Sequence, residues 1–128
     1  MATREPSIPG SRWLVGPSGS IPSGGRLTVD CDGVEVCVFN VDGRHHAIEN
    51  RCPHQGGPIC DGRLTGTLMW DDANDAPIWT EEMPILVCPW HGVEFNLDTG
   101  SGLCGIQLKL RRRELIDDGE QMWIGGRA

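Results

Sequence analysis

The chain has 128 residues, the length of one ordinary domain, and its 38% hydrophobic and 23% charged residues are typical of a folded globular protein. Its net charge of −7 argues against nucleic acid or an anionic membrane as the main partner. The longest apolar run, Ile85 to Trp90, is far too short to cross a bilayer. Because Met1 to Gly10 show no signal peptide, the six cysteines predict a reducing, cytoplasmic location and metal binding rather than a disulfide framework.

Turn residues along the chain predict short antiparallel strands. Asp-Gly pairs suit two-residue hairpin turns because both central positions need positive φ, and alternating apolar residues flank three of these pairs. A break in the alternation predicts a bulge or bend near Arg112. In chain order, the strands predicted outside the middle of the chain are residues 13–15, 27–31, 34–38, 44–48, 106–111, 115–116 and 122–124. No window of a dozen residues carries a helical stripe, so we expect an all-β fold of antiparallel sheets.

Two short motifs in the middle of the chain carry metal-binding residues. They are Cys52-Pro53-His54 and Cys88-Pro89-Trp90-His91, and glycine follows each of them. Thiolate and imidazole ligands suit zinc or an iron–sulfur cluster, and not calcium or magnesium. One thiolate and one imidazole in each of two matching loops favour a binuclear site, with both cysteines on one iron and both histidines on the other. A single zinc ion held by all four residues stays open as the alternative.

With these motifs the sequence resembles the Rieske-type 2Fe–2S ferredoxins. The resemblance rests on C-P-H-Q-G-G-P at residues 52–58 and on C-P-W-H-G-V-E-F-N-L-D-T-G at residues 88–100. The run V-D-G-R-H-H-A-I-E-N-R at residues 41–51 resembles the strand pair that leads into the first loop in that family. The resemblance implies one Rieske domain over residues 1–128, with a small cluster-binding subdomain at about residues 50–105.

The resemblance also implies the ligands of the cluster. Cys52 and Cys88 match the ligands of the inner iron, and His54 and His91 match those of the outer iron, which lies near the surface in this family. Neutral imidazoles in place of two thiolates remove negative charge from the cluster, so its potential exceeds that of an all-cysteine ferredoxin.

Some residues of high-potential Rieske proteins have no counterpart here. Those proteins join their two loops by a disulfide at the positions of Gly57 and Trp90, and they place serine and tyrosine where this chain has Val93 and Phe95. Fewer hydroxyl donors to the cluster leave its reduced state less stabilised. We therefore expect a midpoint potential in the lower part of the Rieske range, roughly −150 to 0 mV.

The segment between the motifs is long for a Rieske ferredoxin and predicts an additional hairpin. Its strands are Leu64 to Trp70 and Ile78 to Val87, with an acidic tip at Asp71 to Asp75. A second charged feature is the basic strand face of Lys109, Arg111 and Arg113. Either patch steers a partner protein, or both are ordinary solvated surfaces.

The other cysteines and histidines are expected to be structural. Cys31 and Cys37 read as small core residues, and Cys60 and Cys104 as unpaired thiols packed under loops. His45 and His46 are expected to be structural or solvent-facing. For Trp90, shielding of the cluster, help in docking and ordinary packing all stay open.

The function that follows from the resemblance is electron transfer without substrate chemistry on this chain. Single electrons would pass from a flavoprotein reductase that uses NADH or NADPH to a terminal oxygenase or another oxidoreductase. Two alternatives stay open, namely the small subunit of a nitrite-reductase-type enzyme and a metal-stabilised redox-sensing or interaction module without turnover.

Overall fold

The computed structural model describes residues 12–127, and within its strands the side chains at 67–69, 80–82 and 127 lie outside that description. Residues 1–25 are rich in proline, glycine and serine, which predicts a loose start to the chain, and residues 1–11 of that segment lie outside the described residues. The regular structure of the described chain is almost entirely β, with one short 3₁₀ turn at Ile59–Asp61. The strands are β1 (Trp13–Pro17), β2 (Arg26–Cys31), β3 (Val34–Val41), β4 (Arg44–Glu49), β5 (Arg63–Asp71), β6 (Ala76–Val87), β7 (Glu94–Asn96), β8 (Arg112–Asp117) and β9 (Gln121–Arg127).

These strands form two antiparallel sheets, which confirms the predicted all-β class. The larger sheet has six strands in the order β1-β9-β8-β4-β3-β2, and the smaller has three in the order β5-β6-β7. The segment between the two cysteine–histidine motifs builds β5 and β6, so the expected long hairpin is present. No helix in the described part of the chain is long and apolar enough to cross a membrane.

Two of the Asp-Gly turns adopt the predicted backbone. Asp32 and Gly33 have φ of 54° and 87°, and Asp42 and Gly43 have φ of 50° and 89°. Positive φ at both central residues matches the right-handed twist of the flanking strands. These turns therefore fix the register of β2, β3 and β4.

Strand β3 contributes to two hydrophobic cores because its side chains alternate between the faces of the larger sheet. Val36 and Val38 pack into one core with β1, β2 and β9 residues. Cys37 and Phe39 pack into the other core, together with the two motif cysteines and the buried residues of the smaller sheet. This second core lies directly beneath the motifs and supports them.

Arg26 ties β2 to the end of the first motif loop. Its Nη1 donates to the carbonyl oxygens of Cys60 and Gly62 at 2.7 and 2.6 Å, and its Cζ lies 4.6 Å from the centroid of the Phe39 ring. A charge-assisted bond to each carbonyl, with the guanidinium stacked on an aromatic ring, holds this loop end against the larger sheet.

Cys60 does not have the free thiol that the sequence predicts, because it forms a disulfide with Cys37. The bond joins β3 to the 3₁₀ turn that follows the first motif. The prediction for Cys60 was therefore wrong, while Cys37 lies in the core as expected. Twenty-three positions separate the two residues, and only the packing of the loop onto β3 brings them together.

The predicted strand at residues 106–111 is also wrong. In place of a continuous ladder, Gly102 N–H donates to Leu108 O at 2.9 Å and Leu110 N–H donates to Gly100 O at 2.7 Å. The segment thus closes back on the residues just after β7, and the strand begins only at Arg112. The bulge expected near Arg112 is confirmed by the register shift between Arg113 and Leu115.

The predicted basic face is divided by burial. Arg113 is partly buried, and its Nε donates to Glu49 Oε2 at 2.7 Å and its Nη1 to Gly125 O at 3.2 Å. Lys109 and Arg111 stay exposed. Only part of the basic run therefore belongs to the surface.

Candidate metal centre

The first motif forms a tight loop between β4 and the 3₁₀ turn. Cys52 N–H donates to Gly57 O at 2.8 Å, and Gly56 N–H donates to Cys52 O at 2.7 Å. Gly56 has φ of 75°, a left-handed conformation that glycine adopts without a steric penalty. This turn buries the side chain of Cys52 and leaves that of His54 exposed.

The second motif forms a matching turn between β6 and β7. Cys88 N–H donates to Val93 O at 2.9 Å, and the turn passes through His91 and Gly92 with φ of 68° and 69°. Positive φ is uncommon for histidine, and such strain concentrates at functional sites. As in the first loop, the cysteine is buried and the histidine is exposed.

The two loops bring like groups together. The Cys52 and Cys88 thiols, each 1% exposed, lie within hydrogen-bonding reach of one another. The imidazole rings of His54 and His91 stand 5.3 Å apart between centroids and nearly perpendicular, at 88°. The result is a buried pair of thiols beneath an exposed pair of imidazoles.

This arrangement bears on which metal group the residues fit. Among the described residues, no three histidine, cysteine or acidic side chains converge on one ion position. Two separate pairs, one of sulfur and one of nitrogen ligands, fit a binuclear iron–sulfur cluster with its histidine-bound iron outermost.

The environment of Cys88 keeps its thiol protonated in the absence of metal. Burial raises its pKa, a backbone N–H of Trp90 lowers it, and the neighbouring Cys52 thiol raises it again. Metal binding must therefore displace this proton. The Trp90 amide is the kind of hydrogen-bond donor that tunes a metal-bound sulfur.

Trp90 also joins the two loops to one another. A Cβ placed on Gly57 would lie 2.8 Å from Trp90 Cδ2 and 2.9 Å from Cγ, so the indole rests directly on the Gly57 backbone. The ring stays 49% exposed on its other side. Sequence patterns left the role of Trp90 open, and its position directly before His91 was the available signal.

His46, Cys31 and Cys104 are not part of this paired arrangement. His46 is buried in the larger sheet, with Nε2 3.3 Å from Asp98 Oδ1 but not aligned for a hydrogen bond. Cys31 is buried in the other core, and burial raises the pKa of its thiol to about 11. Cys104 is a free thiol as expected, but it is exposed, so the prediction that it packs under a loop was wrong.

Two arginines lie beside the first loop: the sequence-based prediction of the site did not include Arg51, and it named Arg111 only as part of a basic strand face. Arg51 and Arg111 line a cavity of about 470 Å³ together with Cys52 and His54. The position of Arg51 directly before Cys52 was the available sign that it lies beside the metal centre. For Arg111, only the fold shows that it lies there.

Comparison with known proteins identifies the family. The model of the Rieske [2Fe-2S] domain matches residues 11–105. A Rieske domain-containing protein of Homo sapiens is 35% identical over 93 residues, which cover 73% of this chain and 51% of that protein. The chain thus spans about half the length of this relative. The 3-phenylpropionate/cinnamic acid dioxygenase ferredoxin subunit of Escherichia coli (strain K12) is 33% identical over 88 residues, covering 69% of this chain and 67% of that subunit.

Solved structures agree on the fold. The ferredoxin of carbazole 1,9a-dioxygenase from Nocardioides aromaticivorans IC177 superimposes with a TM-score of 0.64, covering 93% of this chain and 99% of that one. Its sequence identity is 20%, so the likeness concerns the fold alone. Because the domain model covers most of the chain and two relatives exceed 30% identity, the chain belongs to the family of Rieske [2Fe-2S] domains, whose cofactor is a Rieske-type 2Fe–2S cluster.

Proposed function

We propose that this chain is an electron-transfer ferredoxin and carries out no substrate chemistry itself. Cys52 and Cys88 hold the inner iron of the cluster, and His54 and His91 hold the outer iron. The observation that carries the proposal is the buried thiol pair beneath two exposed imidazoles. An electron carrier needs one edge of its redox group at the surface and the rest shielded from water, and this arrangement supplies both.

When bound, the cluster supplies one-electron oxidation and reduction. The chain's own residues position the cluster and provide the route to a partner. The two cysteines, at the base of tight loops, fix the position of the inner iron, and the Trp90 N–H donates toward sulfur. The exposed imidazole edges of His54 and His91 give a docked partner a short route for the electron.

We further propose that the partners are a flavoprotein reductase and a terminal oxygenase, and that the protein works in the cytoplasm. The name of the Escherichia coli relative, the ferredoxin subunit of a dioxygenase, supports this assignment. The whole chain, residues 1–128, would then act as a single Rieske domain.

The test begins with visible and electron paramagnetic resonance spectra, with iron and acid-labile sulfide assayed on the same sample. We expect two irons and two sulfides per chain and a Rieske-type signal on reduction, which His54→Ala and His91→Ala each abolish. Repeated reduction by dithionite and reoxidation by air should leave the spectrum intact. A colourless protein that holds one zinc ion contradicts the proposal and favours an interaction module.

Gel filtration of the native protein from its source separates the carrier from the small subunit of a larger reductase. A carrier migrates without a tightly bound large subunit, whereas a reductase subunit co-migrates with one. Co-migration with nitrite-reducing activity would favour that alternative.

A further inference from the structure

Two arginines stand at the mouth of the metal centre, on its first-loop side. Arg51 precedes Cys52, and Arg111 lies just before β8. Glu49 brings them together, because its N–H donates to Arg111 O at 2.8 Å and its carbonyl accepts from Arg51 N–H at 2.7 Å. Both arginines and His54 line one cavity of about 470 Å³.

The guanidinium of Arg51 is held close to the loop. A Cβ on Gly56 would lie 3.8 Å from the Cζ of Arg51, so this charge sits over the turn that carries His54. Because the guanidinium of arginine stays protonated at all relevant pH values, its charge does not depend on conditions. The turn beside the proposed outer ligand is therefore permanently cationic.

Neither Arg51 nor Arg111 has a carboxylate partner within the described part of the chain. Both side chains are exposed, and no aspartate or glutamate lines their cavity. By contrast, Arg44 pairs with Asp98 at 3.1 Å, and Arg113 pairs with Glu49 at 2.7 Å. In a chain of net charge −7, two neighbouring arginines without a carboxylate partner leave a local positive charge that an anion from outside can meet.

The acidic tip of the long hairpin is too distant to cancel this charge. Strand β5 leaves the first loop at Arg63 and runs for nine residues, which places its far end roughly 26 Å away at about 3.3 Å per residue. At physiological ionic strength the Debye length is about 8 Å. The acidic tip therefore does not cancel the positive charge of Arg51 and Arg111 at the mouth.

We propose that Arg51 and Arg111 form a cationic rim that docks an acidic surface of the redox partner beside His54. This inference rests on the proposed function, since it names the surface chemistry of the partner in electron transfer. The partner contributes carboxylates, which the guanidinium groups bind in bidentate fashion. The rim thereby orients the partner on the exposed imidazole edge.

Inorganic oxidants of opposite charge test the rim without any identified partner. The reduced, cluster-loaded protein is mixed with ferricyanide or with hexaammineruthenium(III), and the rate of cluster oxidation is followed from low to high ionic strength. We expect the ferricyanide rate to fall as salt rises, because a local positive potential attracts the trianion. A rate that rises with salt, as the net charge of −7 alone predicts, overturns the proposal.

Variants locate the effect. Arg51→Gln/Arg111→Gln should slow cluster oxidation by ferricyanide about tenfold at low salt and should speed cluster oxidation by hexaammineruthenium(III). The matched control Arg12→Gln/Arg44→Gln removes the same charge elsewhere, from the contacts with Trp123 and Asp98, and should change neither rate by more than about twofold. Equal effects of both double variants would refute a local rim.

A binding readout separates docking from redox rate. Hexacyanochromate(III), a redox-inert paramagnetic anion, is titrated into the oxidised protein, and we expect it to broaden the Nε–H resonances of Arg51 and Arg111 before those of Arg12 and Arg44. Uniform broadening overturns the proposal. Iron and sulfide are assayed on each sample, so that a cluster-free protein counts against the proposed function, whereas a loaded protein without anion preference counts against the rim alone.

Discussion

At the scale of single residues, the contact between Trp90 and Gly57 occupies the positions where high-potential Rieske proteins have a disulfide. The indole covers a backbone that has no side chain of its own, and this brings the second loop onto the first. The contact depends on the absence of a Cβ, so it is sensitive to the smallest possible substitution.

Gly57→Ala should loosen the cluster by separating the loops. The new methyl would lie 2.8 Å from the indole, and overpacking of this kind costs about 1–3 kcal/mol. We expect faster loss of cluster absorbance in the presence of a chelator. Gly126→Ala, which meets no atom within 4 Å, is the matched control and should behave like the wild type.

Relief of the clash provides a second check. Trp90→Leu in the Gly57→Ala background should recover part of the lost cluster lifetime, because a smaller side chain leaves room for the methyl. If Gly57→Ala alone retains the cluster as long as the wild type, the contact does not hold the loops.

His46 makes stability depend on pH. Burial lowers its pKa from the ordinary 6.5, and Arg112, Arg44 and His45 lower it further, while Asp98 raises it. As the pH falls through 6.5, His46 of the unfolded chain therefore binds a proton that His46 of the folded chain does not yet bind. The free energy of unfolding should fall as pH drops below 6.5, by at most about 1.4 kcal/mol per pH unit, until the folded pKa is reached.

Urea unfolding at several pH values between 5 and 7.5 measures this slope, and His46→Gln should flatten it. His45→Gln is the control and should keep most of the slope, because it leaves the buried imidazole in place. An unchanged slope in His46→Gln would assign the pH dependence to other groups.

At the scale of elements, the disulfide between Cys37 and Cys60 fastens the end of the first loop to β3. The denatured, cluster-free chain should show four reactive thiols before reduction and all six of its cysteines afterwards. Removing the bond in Cys37→Ala/Cys60→Ala should lower the free energy of unfolding by about 2–4 kcal/mol. Six thiols before reduction would mean that the bond does not form.

The outer half of the β5–β6 hairpin is a separate unit in its pairing. Within the described residues, β7 pairs with β6 only at Ile85 to Val87. In the outer half of the hairpin, β5 and β6 pair only with each other. Trp70 and Trp79 are each 58% exposed. A two-stranded ribbon with little packing contributes little to the stability of the domain.

Replacement of residues 67–80 by Asn-Gly should therefore leave the cluster intact. We expect the visible and electron paramagnetic resonance spectra to match those of the full-length protein and the melting temperature to shift by a few degrees at most. Loss of the cluster in the shortened protein would show that the hairpin supports the loops.

At the scale of the whole molecule, the net charge and the sulfur environment both affect the reduction potential. Reduction adds an electron to a chain of net charge −7, which disfavours the reduced state. Phe95, buried in the core beneath the loops, has no hydroxyl to donate to sulfur. These two features favour a low potential, and the cationic rim offsets part of that effect.

Protein-film voltammetry should give a midpoint of roughly −150 to 0 mV. Phe95→Tyr, which adds one hydroxyl under the cluster, should raise the midpoint relative to the wild type. A wild-type value above about +150 mV contradicts the expectation.

Features that depend on near neighbours in the chain could be predicted from the amino-acid sequence. Two Asp-Gly pairs predicted tight hairpins, and alternating apolar residues predicted the strands that those turns join. The paired Cys–His motifs predicted two like loops, because a cysteine and a histidine two or three positions apart share one turn. These are local consequences of backbone geometry and side-chain chemistry.

Contacts between residues distant in the sequence depend on the folded structure. It paired Cys37 with Cys60, and it paired the partly buried Arg113 with Glu49 while Arg111 stayed exposed. It also turned the predicted strand at residues 106–111 back onto Gly100 and Gly102. Alternation along a strand tells which residues share a face, but the partner of that face depends on how two sheets and two loops pack together.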